Sequence, residues 1–557
     1  MQSGLDKDSL DAVISSLNEF AKRDLTDANL LEWDRKDVVP MDVVRKMYGP
    51  DLGIQLLFLS EDLGGIGGNT FDVYRVCERL AYYDLGVATA VLATFLGSDP
   101  IHVGGTPEQK EKWLSRIASE GALVAYGATE PSAGSDLGAL RSTATRVEED
   151  GKIVGYRING NKQWISNGGV ADFYTILAKT PKGPTWFAVN KGTEGLSAGR
   201  PEEKHGIRLS NTAALSLDEL FVPAEDLIGL EEGQGLLQAQ AVFGYTRVMV
   251  ASFGLGCGWA AMDRAIPYSV ERIQGGGPLS EKQGYTHKLI VPWVIQLEAA
   301  RAYIEKSAEL IDAAEGLQGQ YNTEGAIAKL MATESGNSAA EAAIQALGGY
   351  GYTHEYMVEK IKRDVRITCI YEGTSEIVEM TIARDRWQLH LKTQGGHYRK
   401  EAERLDRLHA QVPDVGANVA ALALRGLAEA MEKCRVARLT RNQHVLLRLG
   451  ELIAFVECAA TLCERAAAAA GGKLNPKALQ RYDAKTQKVM ARVFARTSAE
   501  RLVAESMRWV VGGDGVPAAE IAAFEQAIGA RAIHAAQAGL IEDMNRVADA
   551  IYDRASH

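Results

Sequence analysis

The chain has 557 residues, too many for one hydrophobic core and enough for about two to four domains. Hydrophobic residues make up 46% and charged residues 24%, an ordinary globular balance that excludes a fibre or a disordered chain. The net charge of -11 argues against a nucleic-acid partner, since phosphate binding needs clustered Lys and Arg, but leaves room for a local basic pocket holding a phosphorylated cofactor.

Segments such as Thr70 to Tyr83 and Glu108 to Ile117 repeat apolar residues at helical spacing, so the region 1–124 is predicted to be helical. Thr106 is a predicted N-cap before Pro107. After Ala122 the texture changes to short apolar runs between turn residues. Lys152 to Ile158, Phe173 to Ala178 and Thr185 to Val189 read as strands, with Asn159-Gly160 and Asn167-Gly168 as turn dipeptides, so 125–237 is predicted to be a β-domain. Helical texture returns over 238–391. The Gly- and Pro-containing stretch 392–416 reads as a linker, and 417–557 as a further helical domain, with amphipathic segments at Leu446 to Ala470 and Lys485 to Val511. The predicted class is mainly α with a central β-domain and a C-terminal helical extension.

The six cysteines (Cys77, Cys257, Cys369, Cys434, Cys458, Cys463) form no C-x-x-C pair and no zinc-ligand spacing, so buried, reduced thiols and no metal site are expected. The start MQSGLDKDSL lacks the basic and apolar regions of a signal peptide. A cytoplasmic protein is therefore expected, or one of the mitochondrial matrix if processed.

Three segments carry candidate chemistry. Tyr126 to Asp136 (Y-G-A-T-E-P-S-A-G-S-D) offers backbone amides and hydroxyls to a flat or anionic ligand, or is a polar helix-to-strand connection. Asn161 to Gly169 (N-K-Q-W-I-S-N-G-G) sets a Trp beside a hydroxyl, suited to walling a planar ring, or is a hairpin whose Trp164 fills the core. Gln345 to Tyr352 (Q-A-L-G-G-Y-G-Y) lets backbone approach a diphosphate. It is followed by Arg363 to Ile377 (R-D-V-R-I-T-C-I-Y-E-G-T-S-E-I), where Glu372 can project from a small-residue turn or simply precede a helix.

In this order and at these separations the segments resemble the acyl-CoA dehydrogenase family, from about residue 50 to residue 387, and the helical extension is most similar to the very-long-chain type. The resemblance implies FAD as cofactor, with Glu372 removing the pro-R α-proton of an acyl-CoA while hydride leaves the β-carbon for flavin N5. It implies flavin contacts at Tyr126, Ala128, Thr129, Trp164, Ser166, Thr374 and Glu376. Arg272, Gln345, Gly348 and Gly349 of the partner subunit would hold the diphosphate and adenosine end, and Ser135 and Arg247 would face substrate. The family's R-x-[TQ]-F-G element reads Arg272-Ile273-Gln274-Gly275-Gly276, without its aromatic residue, and the acidic neighbour preceding the substrate-side arginine is replaced around Gly244.

Where the glutaryl-CoA type carries a carboxylate-binding arginine, Val87 stands here, within the uncharged run Val87 to Leu96. Burying a distal carboxylate against that wall is costly, so an apolar acyl group, alkyl or aryl, is expected. An electron-transfer flavoprotein as acceptor and a homodimer follow from the resemblance. The basic segment Lys473 to Lys488 has few apolar anchors and is read as a solvated face rather than a membrane contact. The alternatives are an oxidative decarboxylase, an enoyl-CoA reductase or an oxidase on the same scaffold, or a flavoprotein scaffold without turnover.

Overall fold

A computed structural model describes residues 4–50, 52–314 and 321–554. The chain divides into two compact units. One comprises Met1–Met249, Ala308–Asn322 and Arg363–Ile367, and the other Val250–Ser307, Thr323–Lys362 and Thr368–His557.

The first unit opens with helices α1 (Lys7–Asp24), α2 (Asp27–Lys36), α3 (Met41–Met47), α4 (Thr70–Tyr83), α5 (Leu85–Gly104) and α6 (Pro107–Glu120). Local chemistry sets several ends. Asn69 and Asp72 form a capping box on α4, Thr106 and Gln109 form one on α6, and Gly121 stops α6 in the left-handed region at φ 62°. Among the described residues α5 is the one helix long and apolar enough to cross a membrane, yet 83% of that span is buried inside the protein. Its Thr94 hydroxyl accepts from the Val124 amide at 3.3 Å, which ties the helix to the sheet.

The sheet contains β1 (Val124–Gly127), β2 (Thr143–Glu149), β3 (Lys152–Ser166), β4 (Phe173–Thr180), β5 (Gly183–Asn190), β6 (Leu196–Pro201) and β7 (Thr212–Pro223). The order is β1-β4-β2-β3-β7-β6, with β5 antiparallel to β4 and β1 parallel to it. Ile158, Ile176, Phe187, Leu215 and Leu220 form its fully or nearly fully buried core. Asn159-Gly160 is not a turn, as its composition predicts, but lies inside β3. Strand β7 pairs on both sides of the dipeptide, and a register shift between Ile158 and Gly160 absorbs the irregularity.

Helix α7 (Gly235–Glu271) begins in the first unit and ends in the second. There follow the hairpin β8 (Ile273–Gln274) and β9 (Gly277–Pro278), then α8 (Gln283–Leu289), α9 (Val291–Asp312), α10 (Asn322–Leu347), α11 (Met357–Val365) and α12 (Ser375–Lys392). The C-terminal region contributes α13 (Gly396–Gln411), α14 (Ala417–Val436), α15 (Gln443–Ala470), α16 (Ala484–Glu505), α17 (Ile521–Ala527), α18 (Ala530–Ala535) and α19 (Leu540–Ile551). The stretch 392–416, expected as a linker, consists mostly of α13, because Tyr398, Ala402 and Leu405 recur at helical spacing and are buried. The class is thus mainly α with a β-sheet between helical regions along the chain, and all six cysteines are buried and unbridged.

Helices α12 and α15 approach closely at Gly450, where an added Cβ would lie 2.1 Å from the Glu379 carbonyl oxygen. Gly450→Ala is therefore expected to force the pair apart and destabilise the protein by about 1–3 kcal/mol, read as a lower denaturant midpoint. A midpoint equal to that of the native chain would contradict this contact.

Candidate active site

In the first unit, β1 delivers Tyr126, whose ring rests on Trp186 with centroids 4.6 Å apart. The chain then runs through Ala128, Thr129 and Glu130, and this segment is pinned to β3 from below. The Gln163 amide donates to the Thr129 carbonyl at 3.0 Å. The fully buried Lys162 ammonium donates to Glu130 at 2.7 Å, to the Leu177 carbonyl at 2.6 Å and to the Ala128 carbonyl at 3.4 Å. Glu130 also accepts from the Arg141 and Ser142 amides at 2.6 and 3.0 Å. Burial opposes the charge on Glu130, but donation from Lys162, Ser142 and Arg141 outweighs it and holds the carboxyl below its ordinary range. Burial likewise pulls Lys162 below its ordinary value against the attraction of Glu130.

Immediately beyond this pair, Trp164 has φ 56° and is 62% exposed. A register shift between Lys162 and Ile165 turns it off the core face, so it does not fill the core. A bulky residue in the left-handed region is an outlier that the surrounding structure must hold in place. Ser166, two residues on, is half-buried. Tyr126 on β1 and Trp164 and Ser166 on β3 are thus tied, through the Gln163–Thr129 hydrogen bond, to the segment after β1 that carries the buried Ala128 and the half-buried Thr129. Ser135 is exposed on the following loop, and Arg247 is buried on α7 with its guanidinium 5.1 Å from the Phe243 ring centre.

In the second unit, Arg272, Gln345, Gly348 and Gly349 line a single cavity of about 760 Å³, together with Tyr268 and Tyr285. Arg272 and the Gln345–Gly349 segment come from distant parts of the sequence. The ends of α7 and α10 meet there, and the Tyr268 and Tyr285 hydroxyls donate to the Leu347 and Ala346 carbonyls at 3.2 and 3.0 Å. Gly348 leaves the helix at φ 61°, and a Cβ on it or on Gly349 would meet open space. The Gly275-Gly276 pair that replaces the family aromatic has φ of 56° and 83° and forms the tight turn of the β8–β9 hairpin just after Arg272. A guanidinium beside side-chain-free backbone suits a diphosphate. The donor set fits the phosphorylated end of FAD.

Glu372 sits half-buried before α12 with φ 54°, followed by Gly373 at φ 92°. Three contacts hold this turn. The buried Lys329 ammonium donates to the Gly373 carbonyl, the Thr374 hydroxyl caps α12 by accepting from the Ile377 amide at 3.3 Å, and the Ser375 hydroxyl donates to Glu334. Left-handed backbone at a glutamate costs about 1–2 kcal/mol, which those contacts offset. Glu376 is exposed in the first turn of α12. Sequence reasoning passed over Lys162 and Glu130, although both stand inside quoted motifs. Lys329 carries no local signal at all, since its role depends on α10 crossing the turn that carries Glu372.

The chain matches three family descriptions in succession: acyl-CoA dehydrogenase N-terminal domain over residues 7–121, middle domain over 125–220 and C-terminal domain over 233–386. The chain belongs to the acyl-CoA dehydrogenase family. It is an FAD-dependent oxidoreductase acting on CH–CH bonds. It is 37% identical over 369 residues to the short-chain-specific acyl-CoA dehydrogenase of Megasphaera elsdenii, covering 65% of this chain and 93% of that one. A chain in the structure described as the electron transferring flavoprotein of Acidaminococcus fermentans superposes with TM-score 0.64 at 32% identity, over 69% of this chain and 99% of that one. An FAD-complexed acyl-CoA dehydrogenase from Bacillus anthracis matches with TM-score 0.81 over 99% of this chain and 96% of that one. At 20% identity it speaks for the fold alone, C-terminal helices included.

Proposed function

We propose that this enzyme oxidises the α,β-bond of an acyl-CoA with an apolar acyl group to the trans-2-enoyl-CoA, with Glu372 as the base. The observation that carries this reading is the left-handed Glu372, held out from the start of α12 by Gly373, Lys329 and the Thr374 cap. A carboxylate fixed in that way abstracts the α-proton without first reorganising. Its own amide, turned by the same backbone, donates to the thioester carbonyl and stabilises the enolate-like charge. FAD, when bound, accepts the hydride from the β-carbon.

With FAD bound, Tyr126, Ala128, Thr129, Trp164 and Ser166 would contact the flavin, as would Thr374, the N-cap of α12, and Glu376 in its first turn. Arg272, Gln345, Gly348 and Gly349 would hold the phosphorylated end of the partner subunit's FAD in a homodimer. Ser135 and Arg247 orient the CoA portion. Electrons leave to an electron-transfer flavoprotein, a reading supported by the likeness to the Acidaminococcus structure. The very-long-chain reading rests on the C-terminal helices alone, which lie outside the 65% of this chain matched by the short-chain-specific Megasphaera relative.

The apolar preference rests on α5, where Val87 and its neighbours to Phe95 are buried and uncharged. Anaerobic mixing with a panel of alkyl, aryl and dicarboxyl acyl-CoAs tests it. Alkyl or aryl thioesters should bleach the flavin and dicarboxyl ones should not. Bleaching by dicarboxyl thioesters alone would overturn the pocket argument, and bleaching by none would overturn the reaction.

A further inference from the structure

The family match ends at residue 386, so α13 to α19 lie beyond it, and their role is not given by the likeness to shorter relatives. One face of α12 carries Glu379, Arg386 and His390, spaced seven and four residues apart, and each meets a helix of that C-terminal region. Arg386 pairs with Glu457 of α15 at 2.7 and 2.9 Å and with Glu324 at 2.9 Å, while Tyr303 and Tyr398 donate to the same Glu457 carboxylate at 2.7 and 2.8 Å. His390 meets Glu432 of α14 at 3.2 Å. Nearest the catalytic turn, Arg448 of α15 donates to both oxygens of Glu379 at 3.1 and 3.3 Å and also holds Glu451. Arg501 of α16 closes the chain on Glu451 at 2.5 Å and lies 3.8 Å over the Phe455 ring.

We propose that Glu379 and Arg448 are a positioning pair through which the C-terminal region holds the first turn of α12, and with it Thr374 and Glu376, in register with the flavin. The inference rests on the reading that Thr374 and Glu376 face the flavin. Glu379 is one helical turn beyond Glu376, and Gly450 brings the α15 backbone against the Glu379 carbonyl, so a displacement of α15 is transmitted without slack. Burial pushes the Glu379 carboxyl up to about 7; Arg448 opposes this, while Glu451 and Glu376 add to it. Without Arg448 the carboxyl is therefore driven to take up a proton and releases its hold. The distal Arg386–Glu457 cluster differs because its carboxylate has several donors and little exposure. Burial would raise the Glu457 carboxyl, but Arg386, Tyr303 and Lys306 hold it down at about 2, so it anchors the helices at every working pH.

The test uses the full-length, FAD-loaded enzyme. Arg448→Met should keep stoichiometric FAD, alter the visible circular dichroism of the bound flavin, and lower kcat about tenfold with KM within about twofold. Glu379→Gln, an isosteric change, should do the same if Arg448→Met folds poorly. Arg448→Lys should recover most of both signals. The control is Asp543→Asn, which breaks an ion cluster with Arg492 and Arg496 between α16 and α19 and should lower only the thermal midpoint. The proposal is overturned if Arg448→Met and Glu379→Gln change neither signal, if Arg448→Lys recovers nothing, or if Asp543→Asn shifts the flavin signals equally. Failure of the site reading looks different: no acyl-CoA reduces the wild-type flavin, while Arg448→Met still changes its dichroism.

Discussion

Glu372→Gln is expected to lower turnover by about 10²- to 10⁴-fold while the protein still folds and binds FAD. The amide keeps the size and hydrogen-bonding reach of the carboxylate but cannot take up the α-proton. The turn itself is held from elsewhere, by Lys329 on the Gly373 carbonyl and by the Thr374 cap, and neither contact uses the Glu372 side chain. Stopped-flow mixing with an alkyl-CoA should show ligand-induced perturbation of the flavin spectrum without bleaching. A variant that bleaches at the wild-type rate would remove Glu372 from the chemistry and favour another base. A scaffold without turnover predicts something else again, since function there survives the substitution.

Lys162→Met should cost about 3–5 kcal/mol, the largest stability loss expected of a single change in the β-domain. The methionine fills the space but leaves the Glu130 carboxylate buried without its ammonium, and two carbonyls, Ala128 and Leu177, lose a donor. Because Ala128 and Thr129 lie directly above this pair, the same variant should weaken FAD retention during gel filtration. The double variant Glu130→Gln with Lys162→Met removes both charges and should recover part of the loss, as double-mutant cycles show for groups that act as a unit. Equal denaturant midpoints for Lys162→Met and the native chain would mean that the buried pair contributes nothing. If stability falls while FAD retention is unchanged, the pair supports the sheet and not the cofactor.

Much of the architecture is written locally. The capping box at Thr106, the helical spacing of Thr70 to Tyr83 and the apolar runs of β4 and β5 each concern residues a few positions apart, where propensity and periodicity act directly. The motif around Glu372 was also visible as a motif, because a carboxylate before glycine and a capping threonine is a short-range pattern. Tertiary structure decided the rest. Asn159-Gly160 has the composition of a turn, yet it stays within β3 because pairing with β7 on both sides outweighs a two-residue preference. The glycines and proline of 392–416 suggested a flexible connection, but burial of Tyr398, Ala402 and Leu405 makes most of it a helix.

Trp164 could have been core or surface until the bulge beside Lys162 turned it outward. Arg272 and Gln345 share a cavity only because the ends of α7 and α10 meet. What the chain alone determined was the family motifs and most of the helices and strands, since both are read from near neighbours. Which buried charges hold the motif segments still, Lys162 under the segment after β1 and Lys329 behind Glu372, depended on contacts between distant segments, and no local pattern encodes them.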